Sequence, residues 1–375
     1  MGKSHQEKSP FTDYTSIPDD GSLTEREVIA KYRGFYRELG SHTLILCRYG
    51  AYGDHIFMSA ILPFLFEKYR HVLLETNGKG MEIFQDDKRF AHISMFEPFN
   101  ISDEMRLEVV GKHWQKILDR YPDYDFLNVW GAMEGTGIIW EEHSDAYLPR
   151  EEKKRRYGVN FHEEHFRMAN LKIPEGWMAT DEMRFSDEWE EWAQNWRKEN
   201  EDYFIMMVPI AGSTPQKVFP TWLASYCKYL IDKYPKLKIY LFGDQEAEGE
   251  DWHYERTVSW VRSRGKQMMS FKQAMLMTKY SDYVLGPETG LVAAAGMWGI
   301  PKTYLVGASE KEQLVKYHRN DHSVQSLAPC SPCYCTCFTR VQCELEMYHN
   351  LFPRCTVNYD WDEMLAIFER VYNAR

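Results

Sequence analysis

Short apolar runs of strand length alternate with amphipathic stretches along most of this chain, and the alternation occurs twice. In the first half, apolar runs at 43–48, 71–75, 92–96 and 125–129 read as strands. Residues 54–69 carry helical periodicity, and Pro63 inside them predicts a kink. A charged, Trp-rich stretch, 185–202, reads as an amphipathic helix running into a polar connector. The pattern then restarts. Strands are expected at 203–209, 237–242, 283–286 and 302–306, and helices at 221–233, 252–264, 271–278 and 290–298. Strands alternating with helices predict parallel sheets covered on both faces, so the expected class is α/β with two doubly wound, Rossmann-like units. The predicted organisation is an N-terminal extension over 1–40, a first unit over 41–200, a second over 201–355 and a C-terminal helix over 356–375. The extension reads as loop to Ser22 and helix from Leu23 to Leu39, with Ser22 and Glu25 spaced for a capping box.

Ligands of such sheets bind beyond the carboxyl ends of the strands, and three turns there carry candidate chemistry. In Gly50-Ala-Tyr-Gly-Asp-His55 an acid stands at a helix start. Asp54 there is either a catalytic carboxylate or an ordinary helix cap. In the turn 209–217, small residues would let the backbone approach a ligand and Lys217 would neutralise a phosphate; a plain surface turn fits equally. At 286–295, Glu288 and Thr289 lead into an Ala-rich helix whose N-terminus offers N–H groups to an anion, unless the turn is simply a tight βα connection with no ligand.

The chain is 375 residues long with a formal net charge of −11, which argues against broad adhesion to nucleic acid or anionic membrane. Arg150 to Arg156 forms one local basic run, which reads most simply as a solvated mixed-charge helix. No apolar stretch approaches membrane-spanning length and the first residues lack a secretion signal, so cytoplasm is the expected compartment. Asp86-Asp87 reads as solvated surface, and no Asp-X-Asp motif for a metal stands near the turns. Cys47 and Cys227 lie in apolar runs as small core residues. Six more cysteines crowd 330–355. Cys330, Cys333, Cys335 and Cys337 have the density for a structural zinc or an iron–sulfur cluster, without the spacing of either; disulfides and unbridged thiols remain open.

In order along the chain, LILCRYGAYGDHIFMSAILPFL, VPIAGSTPQKVFPTWLASYCKYL, YLFGDQEAEGE, MSFKQAMLMTKYSDYVLGPETGLVAAAGMWGIPKTYLVG and the tail APCSPCYC resemble the ADP-heptose:lipopolysaccharide heptosyltransferases of glycosyltransferase family 9. The resemblance spans most of 41–337 and is weakest from about 76 to 200. It implies a GT-B fold, a nucleoside-diphosphate-sugar donor and inversion at the anomeric carbon; Lys217 and the N–H groups at Gly290 and Leu291 could stabilise the leaving diphosphate without a metal, so no cofactor for catalysis is expected. On the matching positions it implies Asp54 as catalytic base and Lys217 with Ser213 on the donor phosphates. It also implies Glu246 on the ribose, Met269 on the nucleobase, and Glu288, Thr289, Gly290 and Leu291 around the donor. Two positions depart from the family: Glu288 stands for the usual Asp and Ala293 for the usual His, so the sugar is expected to differ from heptose. The acceptor is expected to be a saccharide or glycolipid, the alternative being a hydroxylated base in modified DNA. A sugar-nucleotide-binding protein without turnover is the reading from another class.

Overall fold

The computed structural model describes residues 39, 42–97, 103–133, 139–140, 144–180, 182–209, 221–243, 257–261, 269–336 and 353–375. The predicted N-terminal extension, with the Ser22 cap, lies outside them. The first unit runs β1 (Thr43–Arg48), α1 (Tyr52–Ser59), α2 (Leu62–Lys68), β2 (His71–Thr76), α3 (Gly78–Phe84), β3 (Phe90–Met95), α4 (Asp103–Arg120) and β4 (Asp125–Asn128). A middle segment follows, with β5 (Ile139–Trp140), α5 (Arg150–Tyr157), α6 (Phe161–Met168) and α7 (Asp187–Glu199). The second unit carries β6 (Phe204–Pro209), α8 (Thr221–Lys233), β7 (Leu237–Gly243), β8 (Thr257–Val261), α9 (Phe271–Lys279) and β9 (Tyr283–Pro287). It continues with α10 (Gly290–Trp298), β10 (Lys302–Val306), α11 (Lys311–Val315), β11 (Val324–Gln325), β12 (Cys335–Thr336) and α12 (Trp361–Asn373).

The first sheet has strand order β3-β2-β1-β4 and the second β11-β10-β9-β6-β7-β8. Their pairings are parallel throughout. Read outward from the central strand, the second order is that of a dinucleotide-binding sheet, and the first is its four-strand counterpart. In such sheets the crevice opens where the order reverses, here between β1 and β4 and between β6 and β9. β1 and β6 are buried along their whole length, as strands covered on both faces must be.

Pro63 acts as expected. The helical stretch breaks into α1 and α2, and Pro63 sits in the first turn of α2, where its missing N–H costs nothing. The helix expected at 252–264 is corrected: the chain forms β8 there, paired with β7 from Ile239↔Thr257 to Gly243↔Val261. Thr-Val-Ser-Trp-Val is β-branched and aromatic, and that preference wins over the charged flanks.

One apolar cluster joins both units, from Leu44 and Leu74 through Ile56, Phe57 and Met58 of α1 to Leu291–Ala295 of α10 and Met207 of β6. A second cluster lies on the other face of the second sheet, under α8 and α12. It contains Phe204 of β6, Ile239 of β7, Tyr226 of α8 and Phe368 of α12. Cys47 and Cys227 are buried, the latter in this cluster, and burial pushes both thiols above their ordinary range. The middle segment packs on the second unit. β5 pairs with β12, Asn160 Nδ2 donates to the Glu312 and Gln313 carbonyls (2.7 and 3.1 Å), and the Ala179 N–H donates to the Tyr317 carbonyl (2.8 Å). α7 lies against α9, tied by Lys279–Glu190 (2.7 Å) and, beside it, Arg197–Asp282 (3.1 Å).

Candidate active site

The turn after β1 places the first candidate group. Gly50 has φ 148°, a conformation that disfavours a side chain, and an added Cβ would land on Asp54 Oδ2. The chain then enters α1 at Tyr52, and Asp54 folds back on the turn: its Oδ2 accepts from the Ala51 N–H at 2.6 Å. The cap reading therefore holds for one carboxylate oxygen. The other, Oδ1, lies 3.5 Å from Arg48 Nη2, and the Asp54 side chain retains 16% exposure while that of Arg48 has none. His55, fully buried behind them, pins the turn: Nδ1 donates to the Ala51 carbonyl at 2.8 Å and Nε2 meets the Thr76 hydroxyl at 2.9 Å.

The second group sits at the end of β9. Thr289 is the N-cap of α10 and makes no side-chain cap hydrogen bond; its Oγ1 is buried without a hydrogen-bond partner among the described residues. The first N–H groups of α10 have no intrahelical acceptor, and its N-terminus carries partial positive charge. Leu291 and Ala293 are buried in the helix packing. Glu288 turns away from the helix end. Its Oε1 accepts from the Gly307 and Ser309 N–H groups (3.0 and 3.2 Å), and its Oε2 from the Ser309 hydroxyl (2.6 Å). The carboxylate thus ties the end of β9 to the loop after β10. The aspartate usual in the family is one methylene shorter.

The two groups meet. A Cβ on Gly53 would stand 3.8 Å from Gly290 Cα. One on Gly290 would press on Phe271 Cζ at 2.9 Å, Tyr52 Cβ at 3.1 Å and the Gly53 nitrogen at 3.2 Å. The close approach of the two turns therefore depends on Gly290, with Gly53 facing it. Around this contact Tyr52 stacks on Phe271, and the Tyr52 hydroxyl donates to Glu82 Oε2 at 2.5 Å. Glu82 Oε1 accepts from the Lys272 N–H at 3.1 Å, and Lys272 Nζ reaches Asp86 at 2.7 Å. Met269, half-buried, lies just before Phe271 in the sequence. The structure therefore brings Asp54, Thr289 and Gly290 to one junction, with Met269 beside it in the chain. Ser213, Lys217 and Glu246 lie outside the described residues.

Arg48, Tyr52, His55, Glu82 and Phe271 join the site without having been singled out by the sequence pattern. The signal for Arg48 and His55 was their place beside Asp54 in the turn; nothing local marks Glu82 or Phe271. The expectation of a solvated Asp86-Asp87 is corrected. Asp87 is 3% exposed and takes Arg89 in a 2.6 Å ion pair, while Asp86 pairs with the buried Lys272.

On α5, Arg155 and Arg156 pair with Glu152, Arg156 with Asp145, and Lys154 with Glu310. That basic run is largely neutralised by neighbouring acids. In the tail, Cys335 Sγ donates to the Cys333 carbonyl at 3.3 Å, and Lys153 Nζ lies 3.7 Å from Cys335 Sγ. Among the described residues no group of three or more His, Cys, Asp or Glu side chains gathers to hold a metal ion; Cys337 lies outside them. Among the same residues no helix is long and apolar enough to cross a membrane.

Solved structures share this architecture. A family 9 glycosyl transferase from Veillonella parvula superposes with a TM-score of 0.60 at 11% identity, over 90% of this chain and 99% of its own. The E. coli ADP-heptose LPS heptosyltransferase II gives 0.52 at 11%, over 88% and 99%. TibC, the iron-containing dodecameric glycosyltransferase of enterotoxigenic E. coli, gives 0.52 at 10%, over 89% and 77%. The chain has the GT-B fold of these enzymes, two Rossmann-like units about a junction. No family model matches the sequence. No curated protein matches it either.

Proposed function

We propose that this protein is an inverting glycosyltransferase that moves a sugar from a nucleoside-diphosphate sugar to an acceptor hydroxyl. The observation that carries the reading is the contact of the Asp54 turn with the N-terminus of α10, through Gly53 and Gly290, on a GT-B fold. In this reading the Asp54 turn offers a base on one side of the reacting anomeric carbon and the α10 N-terminus an anion site on the other. A nucleoside-diphosphate donor is further supported by a similar structure, the E. coli heptosyltransferase WaaC, which was solved with ADP.

In this reading the acceptor oxygen attacks the anomeric carbon as its proton passes to Asp54. The bond from that carbon to the donor diphosphate breaks, and the diphosphate departs with the electron pair. Attack opposite the leaving group inverts the configuration. The transition state has oxocarbenium character, as in glycoside hydrolysis. Lys217 and the N–H groups of Gly290 and Leu291 supply the positive charge that the leaving diphosphate needs, so the step calls for no metal. Ser213, Glu246, Met269 and Thr289 complete the donor site.

A saccharide or glycolipid acceptor is favoured over modified DNA because the α5 basic run is compensated by Glu152, Asp145 and Glu310. For the tail cysteines, a structural zinc or iron–sulfur cluster at Cys330, Cys333, Cys335 and Cys337 is a separate proposal, checked by metal analysis of the purified protein. The function is tested by a thermal-shift screen of nucleotide sugars followed by turnover with the binders. A donor raises the unfolding temperature, and nucleoside diphosphate is released only with an acceptor present. No stabilisation by any nucleoside-diphosphate sugar contradicts the reading.

A further inference from the structure

Arg48 closes β1 with its side chain wholly buried, and it approaches Asp54 from the protein interior at 3.5 Å. Asp54 itself keeps partial exposure, which leaves it within reach of an acceptor. The carboxylate thus meets two groups: the Ala51 N–H donates to Oδ2 at 2.6 Å, and the guanidinium faces Oδ1 as an ion pair at 3.5 Å. The backbone of Arg48 is itself fixed. Arg48 pairs with Thr76 in the β1–β2 register, and the Thr76 hydroxyl meets His55 Nε2, which also lies 3.2 Å from the Arg48 carbonyl. Strand, turn and helix therefore fix the backbone that carries Arg48 relative to the Asp54 turn.

A cation at this depth is costly. It gives up its hydration, and an apolar side chain of similar volume would fill the same space at less cost. A guanidinium, unlike an apolar side chain, attracts the carboxylate oxygen that faces it. We propose that Arg48 is a positioning residue that holds the Asp54 carboxylate in the orientation from which it takes the acceptor proton. This rests on the reading of Asp54 as the base. Arg48 itself touches no substrate; it acts through Asp54, and its effect should vanish when Asp54 can no longer act.

The test is steady-state kinetics on the full chain, with the fastest donor among ADP-heptose, UDP-glucose and GDP-mannose and one saccharide acceptor. Arg48→Met, Arg48→Lys, Asp54→Asn and the Arg48→Met/Asp54→Asn double variant are compared. Arg48→Met should lower kcat by roughly 10- to 100-fold, the scale of a small misplacement of a reacting group, with the donor KM within about threefold of wild type. Arg48→Lys should recover part of that loss, and the double variant should be no slower than Asp54→Asn alone. If Arg48→Met does not fold, Arg48→Lys with and without Asp54→Asn gives the same comparison. Equal losses on the two backgrounds, a loss confined to KM, or wild-type kcat in Arg48→Met would overturn the role of Arg48 and leave Asp54 as base. Wild-type turnover in Asp54→Asn would overturn the base assignment, and this proposal with it.

Discussion

Tyr52 and Phe271 stack face to face across the two units, with ring centroids 3.6 Å apart and planes 10° from parallel. One ring precedes Asp54 by two residues, the other opens α9. Phe271→Ala should lower stability by about 1–3 kcal/mol, from lost burial and the lost aromatic pair. It should also weaken turnover, because the same stack ties the Asp54 turn to α9 beside the N-terminus of α10. Chemical denaturation and initial rates check this; a variant unchanged in both would show that the stack holds nothing together.

Gly290→Ala tests the contact itself. Its Cβ would meet Phe271, Tyr52 and Gly53 closer than side chains ordinarily pack, with backbone among the atoms that must give. Overpacking of this kind costs about 1–3 kcal/mol, and here it forces the two turns apart. The expected result is a lower unfolding temperature together with weaker stabilisation by nucleoside diphosphate.

Glu288→Asp should cost stability rather than improve activity. The shorter carboxylate falls short of the Gly307 and Ser309 donors that Glu288 now satisfies. Leaving such buried donors unpaired costs roughly 1–3 kcal/mol. Stability measured by denaturation should drop, with no gain in rate with ADP-heptose. With Ala293 buried where the family has His, ADP-heptose is not expected to be the best donor among ADP-, UDP- and GDP-sugars.

The pH dependence of stability follows from buried histidines. Burial lowers His162 to about 3 and holds His165 and His318 well below the ordinary imidazole value; His162 Nε2 lies 3.1 Å from His318 Nε2. The folded state keeps these rings neutral, while the unfolded chain takes up protons below roughly pH 6.5. Their contribution is therefore intact above that pH and lost as pH falls from there toward 3. Each ring adds about 1.4 kcal/mol per pH unit to the slope over that window. Plots of stability against pH between about pH 7 and 4 should be flatter for His162→Gln than for wild type by roughly that amount. An equal slope would contradict it.

Much of this fold was legible because its strands announce themselves. Residues 43–48 and 204–209 are mostly apolar runs, as strands buried on both faces must be. Asp54 and the 288–291 turn were visible for the same reason, each standing just beyond such a run. β8 was not, since Thr257–Val261 is short and flanked by charge. Nor was the junction. Tyr52 meets Phe271, and Glu82 meets Lys272 across 190 residues, separations at which local pattern carries no information.

The proposed mechanism stands on the transfer of the acceptor proton to Asp54. The single-turnover rate of Asp54→Asn with saturating donor and acceptor, alongside calorimetric donor affinity, isolates that step. The substitution keeps the shape and removes the basicity, so the rate should fall by roughly 10²–10⁴-fold while donor affinity stays nearly unchanged. A wild-type single-turnover rate in Asp54→Asn would contradict the role of Asp54 as base.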